Sequence, residues 1–177
     1  MKKVTRHAAI GVITASAIGA VVCGIGFMAG LRINTTKSIP VGIYKLISHT
    51  PHKGDYVIFC PPQKDIFNVA HQRGYIGSGF CPGGYGEMMK QILAAKGDEV
   101  AFRDSGVYVN GQVLPYSKPL SIDPGGRPLP AIREVHTLSK SEVLLMTDQS
   151  ASSFDGRYFG AVTTSHIISA VKPVLTW

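Results

Sequence analysis

Met88-Met89-Lys90-Gln91-Ile92-Leu93-Ala94-Ala95 is the stretch on which the reading of this chain turns. Read as a strand, it places Met88, Lys90, Ile92 and Ala94 on one face and Met89, Gln91, Leu93 and Ala95 on the other. Both faces are largely apolar, as in a strand buried within a sheet. A lysine in such a strand either snorkels to an edge or is buried. Burial disfavours the ammonium form and lowers its pKa. A fall of about 3 units requires roughly 4 kcal/mol of differential destabilisation, and it turns a lysine into a general base near neutral pH.

Outward from this strand the chain reads as mostly β. Val41–Ile47, Asp55–Cys60, Glu99–Arg103, Val107–Leu114, Glu142–Thr147 and Ile167–Leu175 are candidate strands. Asn110-Gly111 is a hairpin turn signal. Two stretches rich in Pro and Gly, near 61–87 and 115–131, read as long insertions, the first as an excursion or flap. No soluble amphipathic helix longer than about two turns is apparent. The expectation is a mainly β protein: an irregular antiparallel β domain with one N-terminal transmembrane helix.

Residues 8–31 contain no charged side chain. As a helix they span about 36 Å, against a hydrocarbon core of roughly 30 Å. The expected organisation is a short cytoplasmic N-terminus (1–7), a transmembrane anchor or signal sequence (8–31), and an exported domain (32–177). Lys2, Lys3 and Arg6 precede the apolar stretch, while Arg32 and Lys37 follow it, so charge bias favours a cytoplasmic N-terminus only slightly. Retention is favoured over cleavage, although Met28-Ala29-Gly30 offers small residues for a signal-peptide cut. The net charge of +7 could suit nucleic acid or an anionic membrane. Its basic residues are scattered rather than clustered, so a membrane partner is favoured and nucleic acid is not.

Export suits the cysteines, because Cys60 and Cys81 then lie in an oxidising compartment. A bridge between them closes a loop of about 20 residues, worth on the order of 3 kcal/mol in the chain-entropy model. Two buried thiols are the alternative. A Cys60/His71/Cys81 metal site fits poorly, since the spacing matches no standard zinc pattern.

Ser38 lies in Thr36-Lys37-Ser38-Ile39-Pro40-Val41-Gly42, just past the apolar span. In isolation a serine before a Pro/Gly turn is turn chemistry. A reactive serine needs a base within hydrogen-bond reach and an oxyanion site, and no histidine here lies in a recognisable triad motif. A third segment, Ser153-Phe154-Asp155-Gly156-Arg157-Tyr158-Phe159-Gly160, places Asp155 and Arg157 where they can form a local ion pair.

The order of these segments carries more than any one of them. Ser-x-Pro after a membrane span, Lys90 shortly before Lys96-Gly97-Asp98-Glu99-Val100, and then Ser-x-Asp-x-Arg-Tyr-Phe-Gly resemble the type I signal peptidase family of Ser/Lys peptidases. Lys37–Tyr44, Phe59-Cys60-Pro61-Pro62 and Cys81-Pro82-Gly83-Gly84-Tyr85 resemble its conjugative-transfer (TraF-type) branch. The resemblance covers residues 32–177. It implies that Ser38 is the nucleophile and Lys90 the general base. It implies that Ser153 orients the lysine, and that Thr36 can join the Ser38 N–H as an oxyanion donor. Asp155 then occupies an acidic position implicated in this branch, paired with Arg157. It further implies a signal-peptidase-type fold at the membrane surface, with no metal or cofactor.

The implied function is that of a serine endopeptidase in the bacterial inner membrane, single-pass, with its catalytic domain in the periplasm. Its substrate would be a secreted or pilin precursor in conjugative plasmid transfer. Capture of the acyl-enzyme by an amine would make it a peptide cyclase and give a cyclic pilin.

Two departures from the family pattern stand out. The usual Leu-Pro-Gly-Asp turn reads Ala95-Lys96-Gly97-Asp98, and the Gly-Asp-Asn box is reduced to Thr147-Asp148-Gln149, so Asp148 is read as structural. The alternative function is a non-enzymatic envelope protein for pilus or secretion-channel assembly. A cytosolic self-cleaving repressor conflicts with the anchor and lacks a helix-turn-helix.

Overall fold

The computed structural model describes residues 2–177, with side chains from His7 onward. The expectation for the 1–7 terminus rested on Lys2, Lys3 and Arg6, whose side chains lie outside the described residues. The chain opens with helix α1 (Lys2–Met28). Its His7–Met28 portion is long and apolar enough to cross a membrane, and none of it is buried against the rest of the chain. The helix stops short of the expected boundary at residue 31. Gly30 takes a positive φ of 81°, which a glycine adopts without steric cost, and Leu31 already belongs to the first strand.

Strands β1 (Leu31–Asn34), β2 (Gly42–Ile47) and β3 (Tyr56–Phe59) follow. Helix α2 (Asp65–Gln72) then leads into β4 (Met88–Ala94). Next come β5 (Glu99–Arg103), β6 (Gly106–Val109), β7 (Gln112–Val113), β8 (Val135–Thr137) and β9 (Glu142–Met146). Helix α3 (Gly156–Phe159), β10 (Val162–Thr163) and β11 (Ile167–Thr176) close the chain. The strands form a seven-stranded sheet, β1-β2-β11-β3-β4-β9-β10, and a four-stranded sheet, β7-β6-β5-β8. Every pairing within them is antiparallel. The mainly β expectation therefore holds.

β4 lies well inside the large sheet, between β3 and β9. Met88, Lys90, Ile92 and Ala94 are buried and the residues between them half-buried, as the face parity required. The apolar core has three parts. Phe59, Phe67, Leu145, Phe154 and Phe159 centre the largest, which lies under α2 and α3. Val100, Phe102, Leu144 and Met146 join the two sheets, and Ile39, Tyr44, Ile58 and Val171 sit beneath the Ser38 segment.

Local backbone chemistry sets the remaining geometry. Asn110 and Gly111 both take positive φ (50° and 80°), so the β6–β7 hairpin turns where the Asn-Gly signal falls. At Gly42 the carbonyl oxygen of Leu175 stands where a Cβ would be, so β11 packs directly on the start of β2. The 61–87 excursion is better ordered than expected. It contains α2, whose Phe67 and Ala70 enter the core, and the Cys60–Cys81 disulfide ties its ends together.

Candidate active site

Ser38 lies on the β1–β2 connection, Lys90 on β4 and Ser153 on the segment before α3. The fold brings the three side chains into one hydrogen-bonded triangle. Lys90 Nζ donates to Ser38 Oγ at 2.7 Å and to Ser153 Oγ at 3.0 Å. The two hydroxyl oxygens lie 3.2 Å apart. Lys90 is 3% exposed, and burial pushes its ammonium down to about 8. The nearby Asp155 carboxylate pulls the other way, and the Arg157 guanidinium adds to the fall. A lysine with few compensating charges in a dry site is the arrangement that lets an amine lose its proton near neutral pH.

Asp155 and Arg157 make no hydrogen bond to Ser38 or Lys90. They bind each other through two parallel bonds, Nε to Oδ1 at 2.8 Å and Nη2 to Oδ2 at 3.0 Å, with both side chains fully buried. Asp155 also caps α3, accepting the Arg157 backbone N–H. The remaining guanidinium hydrogens hold carbonyls of two loops. Nη1 donates to Tyr116 O (2.6 Å) and Ala151 O (2.9 Å), and Nη2 to Ser150 O (3.1 Å). The pair thus fixes the 150–153 segment that carries Ser153, and reaches Lys90 through space. Asp148 lies outside this cluster.

Sequence reasoning missed Asn34, the buried polar residue at the end of β1. Its Nδ2 lies within donating distance of Thr36 O (2.7 Å), Ile39 O (3.0 Å) and Pro40 O (3.1 Å). Its Oδ1 accepts from the Thr36 N–H and from Thr36 Oγ1 (2.9 Å). One amide therefore moulds the whole turn around Ser38. Tyr44 Oη supports it by donating to Pro40 O at 2.6 Å, and burial, with Tyr56 beside it, pushes that phenol up to about 12. An Asn two residues before a Thr, at a strand end, is an Asx-turn signal that could have marked the site. The Thr36 hydroxyl, expected as an oxyanion donor, is committed to Asn34 here. Among the described residues the Ser38 backbone N–H has no acceptor.

Ser38 borders a cleft of about 250 Å³, walled by Ile33 and Asn34 on one side and by Met88–Lys90 on the other, with Ile58, Ile76 and Phe154 as apolar lining. Arg32 and Glu87, in an ion pair at 2.9 Å, also line it. The cleft lining therefore mixes apolar side chains with the polar and charged groups of Asn34, Ser38, Lys90, Arg32 and Glu87. The Cys60–Cys81 bridge occupies both sulfurs that a metal site with His71 would need, and His71 Nε2 instead pairs with Ser78 Oγ at 3.0 Å.

The chain belongs to the signal peptidase family, peptidase S26, whose family model matches residues 4–177. It is 53% identical over its whole length to the plasmid transfer protein TraF of Escherichia coli, covering all of that protein. It is 31% identical to the conjugal transfer protein TraF of Agrobacterium fabrum, over 86% of each chain. A signal peptidase I of Enterococcus faecalis is similar at 20% identity and a TM-score of 0.41, covering 70% of this chain and 98% of that one.

Proposed function

We propose that this chain is a membrane-anchored serine endopeptidase of conjugative transfer, in which Lys90 is the general base for Ser38 and the substrate is a pilin precursor. The observation that carries the reading is the 2.7 Å contact between Lys90 Nζ and Ser38 Oγ in a buried setting. With its pKa near 8, about one Lys90 in ten is neutral at pH 7. The neutral amine accepts the Ser38 proton while an N–H remains on Ser153 Oγ, which keeps the lone pair aimed at Ser38. Ser38 Oγ attacks the scissile carbonyl, and the carbonyl oxygen gathers negative charge that the free Ser38 N–H receives. Protonated Lys90 then passes its proton to the departing amine. The acyl-enzyme is released to water, or to the amine at the substrate's other end, which yields a cyclic product.

Similarity to plasmid and conjugal transfer proteins supports the conjugative setting. α1 supports a single-pass inner-membrane anchor, and the disulfide supports a periplasmic catalytic domain. Exposed Ile33 on β1, Val174 and Leu175 at the end of β11, and Trp177 just past it suit a domain seated on the bilayer. Intact-mass measurement of a pilin precursor tests the proposal. Wild-type protein should shorten it, a product lighter by one water than the linear form marks cyclisation, and Ser38→Ala should leave the precursor whole.

A further inference from the structure

The β2–β3 loop, Ser48-His49-Thr50-Pro51-His52-Lys53-Gly54-Asp55, gathers three metal-binding groups that the peptidase chemistry does not use. One ligand atom each from His49, His52 and Asp55 lies within 4.8 Å of the others. His49 Nε2 is 2.7 Å from Asp55 Oδ2, and His52 Nδ1 is 4.0 Å from the same oxygen. The two imidazoles stack at 5.8 Å between centroids, 6° from parallel.

The backbone holds this grouping in place. Asp55 N donates to His52 O, and Asp55 Oδ2 accepts the His52 N–H at 2.8 Å. Gly54 N donates to Ile92 O and Ile92 N to Asp55 O, which fastens the loop to β4. Lys53, the adjacent cation, is turned away onto Asp98 at 2.8 Å. The basin beside the loop shares no lining residue with the Ser38 cleft.

We propose that His49, His52 and Asp55 form a binding site for a divalent transition-metal ion of the zinc class. Two imidazole nitrogens and one carboxylate suit Zn²⁺ and its neighbours, whereas Ca²⁺ and Mg²⁺ favour all-oxygen sites. Ligand atoms about 2.1 Å from a tetrahedral ion stand about 3.4 Å apart, so His49 and Asp55 open slightly and His52 closes slightly. The hydrogen shared between His49 and Asp55 leaves as the ion enters, and water fills the open position. The ion does not reach the reacting atoms. It clasps the loop that joins β2 to β3, and so stabilises the exported domain by binding only its folded form.

Zinc titration calorimetry on the tag-free full-length protein in detergent at neutral pH tests this. The expected result is one ion per chain, a Kd below about 10 μM, and affinity weakened by about tenfold or more in His49→Ala/His52→Ala. Zinc should also shift the imidazole NMR signals of His49 and His52 while leaving those of His136 and His166 in place. Absence of saturable binding, unchanged affinity in the double variant, or shifts confined to other histidines would overturn the site.

Discussion

Asp155 and Arg157 are fully buried and grip each other through two parallel N–H···O bonds, yet neither makes a hydrogen bond to Ser38 or Lys90. Their influence on Lys90 is electrostatic. The Asp155 carboxylate holds the lysine pKa up, so Asp155→Asn should lower it and move the rising limb of the pH–rate profile to more acid pH. Steady-state rates from pH 6 to 10 on a precursor peptide check the sign. An unmoved or alkaline-shifted limb contradicts it. Breaking the pair also leaves a buried guanidinium unpaired, at a cost of about 3–5 kcal/mol in folding.

Lys90 carries a stability cost of its own. Its folded pKa, near 8, lies below the ordinary value of 10.5, so the unfolded chain binds more protons between those pH values. Stability therefore rises with pH across that window, and below pH 8 the fold bears the full penalty, roughly 3 kcal/mol as an upper figure. Lys90→Met removes the charge and shortens the unbranched side chain by one atom. Denaturant unfolding should show the variant more stable at pH 7 by about 1–3 kcal/mol and without the wild-type rise between pH 8 and 10. A variant less stable at both pH values contradicts the burial argument.

Asn34 shapes the Ser38 turn, so its removal should reach activity through geometry. Asn34→Ala leaves buried carbonyls of the turn without donors, costing about 1–3 kcal/mol. Asn34→Asp presents acceptors where donors are required and should be worse. Both should lower kcat by about tenfold or more, and Asn34→Ala, which adds no charge, should leave the pH at which activity rises unchanged. A shifted pH profile in Asn34→Ala would mean that Asn34 acts on the lysine itself.

The disulfide spans the excursion that packs α2 onto the core. Thiol titration of residues 32–177, unfolded and unreduced, should find neither Cys60 nor Cys81 free. Replacing both by Ala should lower stability by about 3 kcal/mol, from the loop that the bridge closes over a sequence separation of 21.

What could be read from the sequence was what depends on short-range pattern. The period-2 alternation of Met88–Ala94 gave the face of Lys90, and Asn110-Gly111 located a hairpin. Asn34 escaped notice because its role depends on contacts to residues 36, 39 and 40 that exist only once the turn has folded. α2 was hidden by its length: eight residues with two core contacts give too little period to stand out among prolines and glycines. The start of β1 was read into the apolar span, because Leu31 continues the hydrophobicity of α1 although Gly30 has already turned the chain, and the three remaining residues are too few to show a period. The depth of Lys90 needed the whole sheet, since a lysine on an inner strand is buried only when neighbouring strands and the 150–153 segment cover it.

Whether Lys90 activates Ser38 is tested by the rate of precursor processing by wild type, Ser38→Ala, Lys90→Met and Lys90→Arg side by side. Cleavage is expected from wild type alone, with Lys90→Arg inactive because a guanidinium holds its proton throughout the working range. Wild-type rates from either the Ser38 or the Lys90 variants would contradict it.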